Sequence, residues 1–193
     1  MTSHRSPLPS ISRLSALLCA AGLFVLPFVM VAAAEAEDTP PPATQVFRAP
    51  DLWGGTDVAF EGCKANSGEY TLWVYAQGSR CGVPREEADR VVMFRQPLPG
   101  VAPLRATSRL PGGRYFAWAY GSGEPGHPWI NLCATTCVKG ALPPKPGWIP
   151  LGEIGLRDRH QLLLKSWEQP DGHELSVSAI VLSTSADRPD WQP

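Results

Sequence analysis

The sequence predicts an all-β fold, an antiparallel sandwich or barrel, behind a removable leader. Three observations carry this. Pro and Gly, 21 and 18 of the 193 residues, punctuate the chain at short intervals and leave no window long enough for a substantial helix. Between these breaks, several stretches alternate apolar and polar side chains with the period of two that a half-buried strand requires. The cysteines outside the leader (Cys63, Cys81, Cys133 and Cys137) are even in number, which suits disulfides in an oxidising compartment.

The leader comes first. His4, Arg5 and Arg13 precede an apolar run from Leu14 to Ala34, and small residues then lead into Glu35, Glu37 and Asp38. Charge, apolar core and an A-x-A exit are the order of a secretory signal peptide, cut after Ala34 or Ala36. The run is long enough to be a retained membrane anchor instead. Pro27 inside it and the lack of basic residues on its far side favour cleavage. Cys19 follows Leu18 within the run, which disfavours lipidation. The expected organisation is a signal peptide over 1–36, a linker over 37–45 containing TPPPAT, and a β-sandwich domain over 46–193. After cleavage no membrane span is expected, and the mature protein is periplasmic or secreted.

The candidate strands, in order, are Gln45–Phe47, Asp57–Phe60, Glu69–Ala76, Val91–Arg95, Leu104–Thr107, Arg114–Tyr120, Trp129–Cys133, Trp148–Leu151, Gln161–Trp167 and Leu175–Leu182. One helical turn fits Pro84 to Val92, where Pro84 can open it and Glu86 and Glu87 sit near its start. In Gln161–Trp167, Leu162 and Leu164 share a face opposite Gln161, Leu163 and Lys165. In Leu175–Leu182, Leu175, Val177 and Ala179 oppose Ser176, Ser178 and Ile180. Pairing Cys63 with Cys81 and Cys133 with Cys137 is favoured among the three possible connectivities, because each pair clips a local loop. Cys133-Ala-Thr-Thr-Cys137 lacks the two-residue spacing of a redox or haem motif, and no neighbouring His completes a zinc set.

One pattern occurs twice. GEYTLWVY (Gly68–Tyr75) and GRYFAWAY (Gly113–Tyr120) share G-x-Y-x-x-W-x-Y, and both load both faces of a strand. Tyr70, Leu72 and Val74 oppose Trp73 and Tyr75; Tyr115, Ala117 and Ala119 oppose Phe116, Trp118 and Tyr120. A sandwich core needs one apolar face per strand. The second face is either covered by a loop or open as an aromatic platform for a flat ligand.

From Leu110 onward the chain resembles the carbohydrate-binding β-sandwich modules of the galactose-binding-like (jelly-roll) superfamily. The carrying residues are Leu110-Pro111-Gly112-Gly113-Arg114-Tyr115-Phe116-Ala117-Trp118, then Trp148-Ile149-Pro150-Leu151-Gly152, the hairpin from His160-Gln161-Leu162-Leu163-Leu164 to Asp171-Gly172, and the closing Ala179–Asp187. The resemblance implies a jelly-roll sandwich and a binding role. Ser176 and Ser178 stand where that family often has an acidic residue, so its calcium site is not expected here.

Catalytic chemistry is thinly represented, and a non-enzymatic protein is expected. His127, His160 and His173 all sit beside turn residues. Gly121-Ser122-Gly123 lacks nucleophile-elbow spacing. Glu86, Glu87 and Asp89 read as a solvated helix face. No cofactor or metal is expected; calcium is the one alternative, with Glu168, Asp171, Asp187 and Asp190 as oxygen donors. A formal net charge of −1 without a basic run disfavours nucleic acid. The stronger signal is the seven tryptophans. Trp148 and one of Trp73 or Trp118 are expected in the core. Trp53 and Trp129, in turn-like settings, are expected to stack on a sugar ring, with Asn131, Glu124 and Arg80 bonding its hydroxyls. The partner is then a carbohydrate such as an envelope polysaccharide, or else an envelope protein for which the chain is an accessory subunit.

Overall fold

The computed structural model describes residues 43–63, 72–94, 102–124, 129–166 and 175–193. The expected leader lies outside the described residues, as do Tyr70, His127, Trp167, Glu168, Asp171 and His173. Among the described residues no helix is long and apolar enough to cross a membrane.

Among the described residues, regular structure is β-strand apart from three short 3₁₀ turns. The strands are β1 (Thr44–Arg48), β2 (Leu72–Gln77), β3 (Arg80–Cys81), β4 (Arg90–Phe94), β5 (Leu104–Thr107), β6 (Gly113–Gly123), β7 (Trp129–Cys133), β8 (Cys137–Ala141), β9 (Gly147–Leu156), β10 (Gln161–Ser166) and β11 (Leu175–Ser183). They form an antiparallel β-sandwich. A seven-stranded sheet runs β3-β2-β4-β11-β6-β9, with β1 also on β11; a four-stranded sheet runs β5-β10-β7-β8. β1 begins at Thr44, inside the stretch expected as linker.

β11 is shared along one edge. Its Leu175–Val177 segment pairs with β4, and Ala179–Ser183 pairs with β1. At the junction, Ser178 is skipped in the ladder with β6, which goes from Val177↔Gly121 to Ala179↔Tyr120. This bulge shifts the side-chain phase by one residue. Leu175 and Val177 therefore join the core with Ile180 and Leu182, not with Ala179 as strict alternation predicts.

The core lies between the sheets. Leu104, Ala106, Ile130, Leu132, Leu162 and Leu164 of the smaller sheet meet Phe47, Trp73, Tyr115, Ile154, Ile180 and Leu182 of the larger. Burying each such large side chain contributes about 1.5–3 kcal/mol relative to exposure. Leu162 and Leu164 face inward as their alternation predicts.

The two aromatic copies face opposite ways. Trp73 and Tyr75 point into the core at 2% and 3% exposure. Their outward neighbours Val74 and Ala76 pack with Val92, Phe60, Cys63 and Cys81 in a second, smaller cluster. In the other copy the inward residues are Tyr115, Ala117 and Ala119, while Phe116, Trp118 and Tyr120 lie half-buried on the outer face. One face is thus covered by Phe60 and the Cys63–Cys81 disulfide, and the other remains partly open.

Both disulfides follow the local pairing, Cys63–Cys81 and Cys133–Cys137. Other expectations are corrected. Residues 57–59 form no strand; Phe60 makes a single bridge to Cys81, and the chain turns at Gly62 and Cys63 (φ 55° and 53°) to reach the disulfide. The helical turn from Pro84 shrinks to Arg85–Glu87, because the Asp89 amide is already bonded to the Ala76 carbonyl at 2.9 Å and β4 starts at Arg90. β8 was not expected: it is a polar edge strand whose Cys137 and Lys139 are exposed.

Candidate functional site

The segment from Leu52 to Thr56 joins the two sheets along one side of the sandwich. Trp53 pairs with Arg105 of β5 through two backbone bonds, both 2.8 Å. Three residues on, the Thr56 amide donates to the Trp73 carbonyl of β2 at 2.8 Å. The Tyr75 hydroxyl fixes the turn between them: it donates to the Leu52 carbonyl at 2.9 Å and accepts from the Gly55 amide at 3.3 Å. A side chain at Gly55 would crowd this contact, since an added Cβ would lie 3.0 Å from the Tyr75 ring and 3.1 Å from the Trp73 carbonyl oxygen. Burial pushes the Tyr75 hydroxyl above its ordinary pKa, more than the Gly55 bond lowers it.

Held this way, Trp53 is 37% exposed, one of the two exposed large apolar residues among those described. It stands beside a cleft of about 600 Å³ that also takes in Gln45, Asp51, Thr107 and Arg109. These polar groups are organised by the backbone. The Gln45 Oε1 accepts from the Arg109 amide at 2.8 Å and the Ser108 hydroxyl at 3.2 Å. The Asp51 carboxylate accepts from the Arg48 amide at 2.8 Å. Among the described residues no His, Cys, Asp or Glu group of three is arranged to hold a metal ion.

Trp53 shares a face with Trp129. Directly paired residues point the same way, so ladder register defines the outer face of the smaller sheet. One row reads Trp53–Arg105–Leu163–Cys133–Cys137, and the next reads Lys165–Asn131–Lys139. Trp129, opposite Ala141, lies beyond them. Trp129 opens strand β7, the first residue of the expected strand Trp129–Cys133, and is half-buried. The two indoles stand three strand spacings and four residues apart, roughly 20 Å by ideal sheet dimensions. A cation lies over each ring: the Arg105 guanidinium is 5.1 Å from the Trp53 centre, and the Lys139 ammonium is 5.4 Å from that of Trp129.

The structure thus brings Trp53, Trp129 and Asn131 onto one face and leaves Arg80 off it. Arg80 belongs to β3 on the other sheet, hydrogen-bonded to Gln77 and paired with Glu87 at 3.8 Å. Glu124 follows the end of β6, is exposed, and is separated from Trp129 by residues 125–128, outside the described set. Gln45, Thr107, Arg105, Lys139 and Lys165 were not singled out from sequence. The exposed positions of β5 and β10 carried that information, since alternation marks which side chains leave the core.

Trp148 is the other correction. It is half-buried on the outer face of the larger sheet, not in the core. The register there gives a straight row, Arg48–Ala179–Tyr120–Trp148. Trp191 from the C-terminal tail packs on it, edge-on to Trp148 at 5.2 Å and under the Arg48 guanidinium at 5.6 Å, while the Trp148 indole N–H donates to the Trp191 carbonyl at 2.7 Å.

No protein-family model matches this chain, and no curated protein matches it. Among solved structures, a β-(1,4)-mannanase of Podospora anserina described as GH26-CBM35 is similar at 14% identity and a TM-score of 0.40, over 76% of this chain and 29% of its own. A family two carbohydrate esterase from Cellvibrio japonicus is similar at 8% identity and a TM-score of 0.40, over 75% of this chain and 35% of its own. This chain therefore spans about a third or less of either protein.

Proposed function

We propose that the chain is an exported, non-catalytic binding domain of the galactose-binding-like (jelly-roll) type that recognises a glycan, with Trp53 and Trp129 as its stacking residues. The carrying observation is Trp53, exposed beside a cleft whose other polar residues are Thr44, Gln45, Asp51, Thr107 and Arg109. An indole offers a flat apolar surface to the C–H face of a sugar ring, while amide, hydroxyl and charged groups nearby bond the ring's hydroxyls. The backbone around Trp53 is fixed from both sheets, so little conformational freedom is lost on binding. Two disulfides fit an oxidising compartment, as a secreted or periplasmic protein requires. Titration with a panel of polysaccharides, read by tryptophan fluorescence, tests this. A saturable response that Trp53→Ala abolishes supports it; no response to any polysaccharide overturns it.

A second reading, a protein-interaction subunit, is favoured by one observation. Phe116 and Trp118 lie half-buried on the outer face of the larger sheet. Co-purification of a defined envelope protein, lost in Trp118→Ala and kept in Trp53→Ala, would select it.

A further inference from the structure

The cations on the face that carries Trp53 and Trp129 bear on the chemical class of the glycan. Lys165 and Lys139 flank Asn131 across neighbouring strands, and Arg105 lies one row away beside Trp53. The outward residues of β5, β10, β7 and β8 include no acidic side chain among those described. Composition does not impose this, because Asp plus Glu (18) balance Lys plus Arg (17) over the whole chain. On this face, unlike the larger sheet with its Arg114–Glu153 and Arg90–Asp89 pairs, the outward strand positions described carry cations without acids.

Its position relative to the rings matters as much. Each candidate stacking indole has a cation over it, at 5.1 Å for Trp53 and 5.4 Å for Trp129. A sugar that stacks on the remaining surface of either ring places its substituents next to that cation. A neutral ring would compete with the cation for the indole and gain from it only a hydrogen bond to a hydroxyl. An anionic substituent turns the same arrangement into a charge-assisted contact.

We infer that the ligand is an anionic polysaccharide, its carboxylate or sulfate groups pairing with Arg105, Lys139 and Lys165 while its rings stack on Trp53 and Trp129. This rests on the glycan reading above and adds the ligand's charge to it. Lysine ammonium groups are compact point charges on flexible stems, suited to substituents at varied positions along a polymer.

The test compares polygalacturonate, dextran sulfate, unmodified dextran, galactomannan and a thymidine oligonucleotide against the full exported chain, at low and physiological salt. The expected result is that one of the two anionic polysaccharides binds about tenfold or more tightly than the neutral polymers, with affinity falling as salt screens the contact. The tighter of the two names the substituent. Lys139→Gln with Lys165→Gln should remove that advantage and leave far-ultraviolet circular dichroism unchanged. Equal binding of a neutral glycan, unaffected by the double substitution, overturns the anionic inference and leaves the glycan reading standing. Absence of binding to every polysaccharide overturns both. Oligonucleotide binding as tight as that of either acidic glycan, and insensitive to Trp53→Ala, would mark a generic polyanion surface and overturn the inference.

Discussion

The Tyr75 hydroxyl reaches out of the core to the carbonyl of Leu52, 2.9 Å away, and so ties the strand bearing the first aromatic copy to the turn bearing Trp53. The same oxygen accepts from the Gly55 amide. A core residue thereby sets the position of the most exposed aromatic side chain in the candidate site. Tyr75→Phe should cost about 1–3 kcal/mol, because it strands a buried carbonyl and an amide without replacing their partner. Urea denaturation measures the loss. Glycan affinity should weaken with it, since the Trp53 turn is freed; unchanged stability and unchanged affinity together would refute this account.

The same residue predicts an alkaline limit. Burial raises the Tyr75 pKa in the folded state above its ordinary 10.0. The folded state then holds this proton more tightly than the unfolded chain, so the contribution is intact below pH 10 and is lost as pH climbs through the raised value. Stability of the native protein should fall more steeply above about pH 10 than that of Tyr75→Phe. Parallel pH profiles of the two proteins would contradict the assignment.

The two disulfides should differ in worth. Cys63–Cys81 closes a loop of 18 residues and Cys133–Cys137 one of 4. In the chain-entropy treatment these correspond to about 3 and about 2 kcal/mol. The longer bridge also walls the cluster over Val74 and Ala76. Replacing Cys63 and Cys81 by Ala should lower the melting temperature more than replacing Cys133 and Cys137; the reverse order would show that the tight hairpin of β7 and β8 matters more than loop entropy.

Much of the fold was legible because alternation is a direct trace of burial. β5 and β7 match their expected bounds, and Leu162 and Leu164 face the core as their spacing requires. Absolute facing was not legible. The copies G-x-Y-x-x-W-x-Y look interchangeable, yet Trp73 points inward and Trp118 outward, because a pattern apolar on both sides carries no mark of which side meets the second sheet. The bulge at Ser178 was invisible for a related reason: it falls where the β11 edge passes from β4 to β1, a contact between segments far apart in sequence. For the site, the tryptophan count pointed to Trp53 and Trp129, but the cations beside them come from β5, β8 and β10, which only sheet register brings together.

Two glycines in the left-handed region separate backbone strain from crowding. Gly78 has φ 57° with nothing within 4 Å of an added Cβ, whereas at Gly82, φ 75°, that Cβ would lie 2.3 Å from the Val58 backbone. Gly78→Ala should cost only the conformational penalty of about 1–2 kcal/mol. Gly82→Ala must in addition displace the backbone of residues 58 and 59, and a loss above about 4 kcal/mol is expected. Urea midpoints of the two variants give the comparison, and equal midpoints would show that the Val58 segment yields without resistance.

The C-terminal tail acts as a strap whose anchor is Trp191. Ala179, in the middle of the row from Arg48 to Trp148, is fully buried although it lies on the outer face. Its small side chain leaves room for the indole that packs on this row, where Trp148 supplies an edge-on ring and an N–H bond and Arg48 a cation. Deleting Trp191 to Pro193 removes all three contacts at once. Each is worth about 0.5–1.5 kcal/mol, and contacts sharing one ring do not add fully, so a loss of about 1–2 kcal/mol is expected. Trp148 should gain solvent exposure, seen as a red shift in emission and a weaker near-ultraviolet circular dichroism band. Arg48→Ala, which removes only the cation, should reproduce a fraction of the stability loss and little of the spectral change. If the truncated chain kept the native near-ultraviolet spectrum, the row would hold its geometry without the strap, and the burial of Ala179 would have to come from another segment.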